Sequence, residues 1–205
     1  MHSEYLQARH LTYYRGERLI INQVSFSLAR GECVHITGDN GAGKTTLLRM
    51  LTGILTPHSG DILWQGQSIH KDRLRYQQQF YYLGHHVGIK DDLTVLENLH
   101  WEHNKKFELL EMLQLHSLQN VLARHLSNGQ RQRVALAKLM ASSAPLWIMD
   151  EPFASLDAVG MQKVQAMLLQ KLQCGGGVIL TSHPTLTQAL SPKKIHLPTT
   201  VLCNE

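Results

Sequence analysis

The sequence predicts an α/β fold in which a mostly parallel sheet is joined by an antiparallel β layer and a small helical lobe. Three observations carry that prediction. First, APLWIMD (144–150) and GGGVILTS (175–182) are near-continuous apolar runs, as strands buried on both faces require, and the helical stretch GMQKVQAMLLQKL (160–172) separates them. Second, CVHIT (33–37) leads through a glycine-rich turn into KTTLLRML (44–51), whose apolar spacing is helical. Third, VSFSL (24–28) alternates with the two-residue period of a half-buried strand.

The remaining elements follow in order. Arg15-Gly16 and Arg30-Gly31 divide the N-terminal third into several strands. TPHSGDILWQGQSI (56–69) reads as a turn and a short hairpin that joins the first strands in an antiparallel layer. DRLRYQQQ (72–79) is a short helix before the strand FYYLG (80–84). LTVLENLHWEH (93–103) and FELLEMLQLHSL (107–118) are helical and form an inserted lobe. HLPTTVLCNE (196–205) reads as a tail. The expected organisation is one domain over 1–205. Its α/β core spans 1–84 and 142–205, and its lobe spans 85–141.

Composition narrows the function. The chain has 205 residues, 43% of them hydrophobic, enough for one sizeable core. Twenty Lys and Arg against 16 Asp and Glu give a net charge of +4 with no polybasic block, which argues against a nucleic-acid partner. No apolar run is long enough to cross a bilayer, and MHSEYLQARHL lacks the pattern of an export signal, so a membrane role requires another subunit as anchor. Cys33, Cys174 and Cys203 are too scattered for a zinc quartet or disulfide framework, and the 13 histidines include no HExxH.

The motifs carry the chemistry. Gly38, Asp39, Asn40, Gly41, Ala42, Gly43, Lys44 and Thr45 fit GxxxxGK[ST] between a strand and a helix, with Thr46 following. Glycines let such a loop wrap phosphates with inward amides, and the helix start favours negative charge. Lys44 is expected to reach the β- and γ-phosphates, and the Thr45 hydroxyl to ligate magnesium. Asp150, ending LWIMD, is expected to hold the same ion, leaving Glu151 as the base for the attacking water. His183, just beyond VILTS, is a candidate to contact the γ-phosphate or orient that water.

Ser127, Asn128, Gly129 and Gln130 open a second helix with another phosphate-gripping terminus. The first site already has its loop, lysine and metal oxygens. The second is best explained if it closes over ATP bound by another copy of the chain, giving two composite sites related by two-fold symmetry.

Together these residues resemble the ATP-binding subunit of ABC transporters, over nearly the whole chain. Gly38–Thr45 looks like that family's phosphate loop, and Leu126–Gln130 (LSNGQ) like its LSGGQ signature. Leu146–Asp150 resembles the second nucleotide motif, with Glu151 as catalytic glutamate. Ala154–Asp157 looks like the loop bridging two subunits, and His183 like the switch histidine. The resemblance makes Tyr13 or Tyr14 the aromatic that stacks on adenine, in either register. It implies ATP and Mg²⁺ as cofactors, a P-loop fold and a second copy as partner.

Two departures stand out: Asn128 replaces the usual glycine, and His85 occupies the position of a glutamine that reaches metal and water. As a metal ligand or water contact, His85 is weighed against a mere loop-supporting role.

GHxxGIKxxLTxxENL (84–99), WQGQSI (64–69) and the small size resemble the cytochrome c biogenesis (haem-exporter) branch. That branch implies a peripheral ATPase on the cytoplasmic face of the bacterial inner membrane, bound to integral permease subunits. Its ATP hydrolysis is coupled to haem export or to release of haem-loaded chaperone. Leu93, Leu96, Leu99 and Trp101 are the apolar candidates for permease contact, weighed against ordinary packing. The rival readings are an ABC subunit for another cargo and a soluble ABC-type ATPase acting on nucleic acid.

Overall fold

The computed structural model describes residues 4–85, 88–99, 106–154, 156–182 and 190–198. Two sheets form its frame. β1 (Glu4–Arg15), β2 (Arg18–Ala29), β4 (Ser59–Trp64) and β5 (Gln67–Ser68) make an antiparallel sheet in the order β2-β1-β4-β5. β3 (Cys33–Thr37), β6 (Phe80–Leu83), β7 (Leu146–Asp150), β8 (Gly177–Thr181) and β9 (Lys193–His196) make a parallel sheet in the order β6-β7-β8-β3-β9. The expected antiparallel layer and parallel core are both present. The turn at 16–17 and the break at 30–32 fall where Arg15-Gly16 and Arg30-Gly31 punctuate the sequence.

The helices sort the core into two clusters. α1 (Lys44–Leu51) buries Leu47, Leu48, Met50 and Leu51 between the antiparallel sheet and one face of the parallel sheet. On the other face, α5 (Asn128–Ala141) and α6 (Ala158–Gln173) pack with Trp147, Met149, Val178 and Leu180. The alternation along β7 and β8 feeds both clusters, so every residue of those strands is buried. α2 (Arg73–Gln77) starts at Asp72, whose side chain caps the Arg75 amide.

The lobe is more broken than its periodicity suggests. α3 covers only Val95–Asn98, α4 covers Lys106–Met112, and two 3₁₀ turns follow at His116–Leu118 and Ala123–His125. Thr94 and Glu97 form a reciprocal capping box that starts α3, and left-handed Gln114 (φ 56°) stops the chain after α4. The apolar spacing is satisfied all the same: Leu99 is buried and Leu96 packs beside it. Those two leucines are therefore core residues, whereas Trp101 lies outside the described residues.

One strand is absent from the sequence reading. β9, from KKIH, pairs in parallel with β3 as the edge of the parallel sheet. It is charged and largely exposed, so it lacks the apolar run that marks β7 and β8. Lysines at a sheet edge discourage pairing with another chain. Immediately after β9, the Leu197 amide donates to the Thr37 carbonyl (2.8 Å), so this strand props the start of the glycine-rich loop.

Candidate functional site

The parallel register brings the ends of β3, β7 and β8 together. At that edge the chain leaves β3 and enters the loop 38–43 before α1. Gly43 has φ 95°, and a Cβ there would sit 2.8 Å from Ile21 Cδ1 and 2.9 Å from Ile20 Cγ2. Gly38 (φ 147°) leaves no more room, since its Cβ would meet the Leu197 carbonyl at 2.7 Å. Larger residues at either position would push the loop off its two supports. Asp39, Asn40 and Gly41 are exposed at the loop's crest, whereas Ala42 and Thr46 are buried beneath it. Gly43 supplies no side-chain cap to α1.

Lys44 is only 9% exposed, and its Nζ donates to the carbonyls of Gly38 (2.8 Å) and Asp39 (3.0 Å). The ammonium is thereby held inside the loop. Next to it, Thr45 Oγ1 donates to Asp150 Oδ2 at 2.7 Å. Asp150 Oδ1 accepts from Thr181 Oγ1, also at 2.7 Å, and that same hydroxyl oxygen accepts from the Glu151 amide at 2.9 Å. Asp150, 6% exposed, is thus fixed from both sides by hydroxyls. Glu151 has φ 51°, a conformation that costs a non-glycine residue about 1 kcal/mol or more and places its backbone at a sharp turn directly after β7.

Thr181 is the residue that sequence reasoning missed. The signal was present, since VILT ends a buried strand on a polar residue, but only the register that pairs Asp150 with Thr181 reveals its task.

A cleft of about 390 Å³ opens beside the acids. Its walls include His85, Asn128, Arg131, Asp150 and Glu151, and no residue of 38–45 contributes to them. The α5 terminus facing it is self-contained. Ser127 Oγ accepts from the Gln130 amide (3.3 Å), and Gln130 Oε1 accepts from the Ser127 amide (2.9 Å). The Ser127 hydroxyl hydrogen is spent on neither bond, and Ser127 and Asn128 are both exposed. Arg131 bonds the Ala123 carbonyl (2.9 Å) and pairs with Asp91 (2.5 Å), Gln132 Nε2 donates to the Pro152 carbonyl, and Arg133 lies 3.6 Å from Asp157. These contacts tie the start of α5 to the loops on both sides of the acids.

Tyr13 and Tyr14 lie at the far end of the loop. Tyr13 pairs with Ile21, whose side chain supports Gly43, and is half-buried, whereas Tyr14 is 39% exposed. Both rings meet His58 edge-on, at centroid distances of 5.2 and 5.4 Å. The two tyrosines therefore share one aromatic corner rather than opposite faces of the strand. His183, Ser155 and His86 lie outside the described residues.

Among the described residues no group of three or more His, Cys, Asp or Glu could hold a metal ion. The oxygens of Thr45 and Asp150 are a different kind of site, suited to a hard cation that takes its remaining ligands from phosphate and water. Among the described residues, no helix is long and apolar enough to cross a membrane.

Comparison with known proteins agrees with this geometry. The ABC transporter family model matches residues 21–154. The cytochrome c biogenesis ATP-binding export proteins CcmA of Escherichia coli O6:H1 and of Escherichia coli strain K12 are each 46% identical over 191 residues, covering 91% of this chain and 92% of theirs. Among solved structures, the ATP-binding subunit of an ABC transporter superposes with a TM-score of 0.84 at 24% identity, covering 96% of this chain and 88% of that one. A dimeric ATP-binding cassette in a post-hydrolysis state, bound to ADP and phosphate, superposes at 0.80 with 23% identity and covers 94% of each chain. A loop built to wrap phosphates, an acid pair fixed at its edge and relatives matched along nearly their full length lead to one conclusion: the chain belongs to the ABC transporter family, as one of its ATP-binding subunits.

Proposed function

We propose that this chain is the ATP-hydrolysing subunit of an ABC complex for cytochrome c maturation, coupling turnover to haem export or to release of a haem-loaded chaperone. Membership of the family makes it an ATPase, and its 46% identity to the cytochrome c biogenesis export proteins supports the specific role. In this reading two copies of the chain sandwich two ATP molecules while docked on integral permease subunits, at the cytoplasmic face of the bacterial inner membrane. Residues 85–141 act as the lobe that meets the permease.

The bond between Thr45 and Asp150 is the observation that carries the site. Two oxygens from different elements converge there, as Mg²⁺ binding requires, and the ion when bound would neutralise phosphate charge. The loop amides and Lys44 hold the phosphates, and Tyr13 or Tyr14 stacks on adenine. Glu151 takes a proton from the attacking water, whose oxygen bonds to the γ-phosphorus as the bond from that phosphorus to the β–γ bridging oxygen breaks, so that phosphate forms and ADP leaves. His85, on the wall of the same cleft, supplies a nitrogen to that water or to the ion. His183 orients the same water.

Ser127, Asn128, Gly129 and Gln130 close the partner's site. The exposed α5 terminus and a cleft with no wall from 38–45 both favour a role across the dimer over one within the chain. The test is ATP turnover and ATP-dependent dimerisation of the complex carrying Glu151→Gln. Loss of turnover with a retained dimer is expected, and wild-type turnover would remove Glu151 from its role.

A further inference from the structure

We infer that His35 is a positioning residue for ATP hydrolysis, holding the end of β8 in register with the phosphate-loop strand. This rests on the acid reading above and extends it to a side chain with no assigned part in the chemistry.

His35 sits in the middle of β3, 1% exposed, among apolar neighbours. Its Nε2 lies 3.2 Å from the Ser182 carbonyl oxygen and 3.0 Å from Ser182 Oγ, just past the end of β8. A carbonyl can only accept, so Nε2 carries the ring hydrogen and Nδ1 is left as a buried lone pair with no hydrogen-bond partner among the described residues. Burial holds the ring's pKa below the ordinary histidine value. The Ser182 carbonyl bond opposes that shift and the Lys194 charge adds to it. An apolar residue would fill this core position without stranding a polar atom, so packing alone does not account for a histidine.

The contact with Ser182 does account for it. Ser182 follows Thr181, whose hydroxyl bonds Asp150 and receives the Glu151 amide. Three residues after His35 along the chain, the phosphate loop begins at Gly38, and Lys44 donates back to the Gly38 carbonyl. A continuous path therefore runs from the phosphate loop through His35 and Ser182 to Thr181 and the two acids. Parallel pairing alone fixes β3 against β8 only as far as the bonded pair Ile36 and Thr181. His35 extends that register by one residue, to the point where the chain leaves the sheet. A shift of about 1 Å in groups that orient a reacting water can lower turnover by roughly 100-fold.

The experiment compares His35→Leu and His35→Gln in the complex with its membrane subunits. It measures turnover at saturating ATP, affinity for a fluorescent ATP analogue, and thermal midpoint. The expected result is a folded His35→Leu complex whose kcat falls ~10-fold or more while nucleotide affinity holds. His35→Gln, whose amide can still donate to Ser182, recovers most of that loss. Full kcat in folded His35→Leu overturns the inference, as does an equal loss in both variants or a loss of affinity alongside kcat. His35→Met repeats the test if His35→Leu does not fold. Failure of both apolar variants to fold would mark the histidine as a core residue and also overturn the inference. Glu151→Gln, measured in parallel, reports on the acid reading separately.

Discussion

Two regions offer groups for phosphate chemistry, and they are built in opposite ways. At the ends of β3, β7 and β8, Asp150 is buried, both its oxygens are bonded, and Lys44 is held by loop carbonyls. At the start of α5, Ser127 and Gln130 cap one another at an exposed terminus. The first region is preorganised within one chain, as electrostatic catalysis requires. The second has a settled backbone but leaves its face open, as suits a surface completed by a second molecule. In the proposed dimer, the first region is what one copy would hold ready and the second is what closure would supply.

Variants can break or sharpen that contrast. Glu151→Gln is expected to have the largest effect, a loss of ~100-fold or more in turnover with ATP still bound, read by phosphate release and nucleotide binding. Gly43→Ala comes next. A left-handed glycine replaced against Ile20 and Ile21 is expected to weaken nucleotide binding ~10-fold, seen by titration even in the isolated chain.

Ser127→Ala separates the two regions most directly. Loss of the cap costs about 1 kcal/mol of stability. ATP affinity of one copy is expected to hold while ATP-dependent dimerisation and turnover fall. Equal loss of affinity would place Ser127 in its own chain's site. Thiol labelling tests rigidity without touching the chemistry. Cys33, buried on β3 with its thiol pushed up to about 12, is expected to resist alkylation at pH 8 until the chain unfolds, while exposed Cys174 reacts at once. Asn128→Gly is the smallest, leaving binding unchanged and turnover equal to or modestly above the parent. A large loss there would make the asparagine a functional replacement rather than a tolerated one.

The sequence alone determined the two-sheet α/β frame, α1 and the membership of the loop and acid pair. Buried strands and phosphate loops are written locally, in apolar runs such as LWIMD and in glycine spacing. Tertiary structure decided the rest. β9 carries no apolar run, because an exposed edge strand needs none. In the lobe the Thr94–Glu97 cap sets where α3 starts and a left-handed Gln114 follows the end of α4, neither of which the apolar spacing marks. Thr181 and His35 gain their meaning only from parallel register, which sets Thr181 against Asp150 and leaves His35 within reach of Ser182. Hydrogen bonds between strands far apart in the chain have no local signature, since each partner's role depends on where folding places the other.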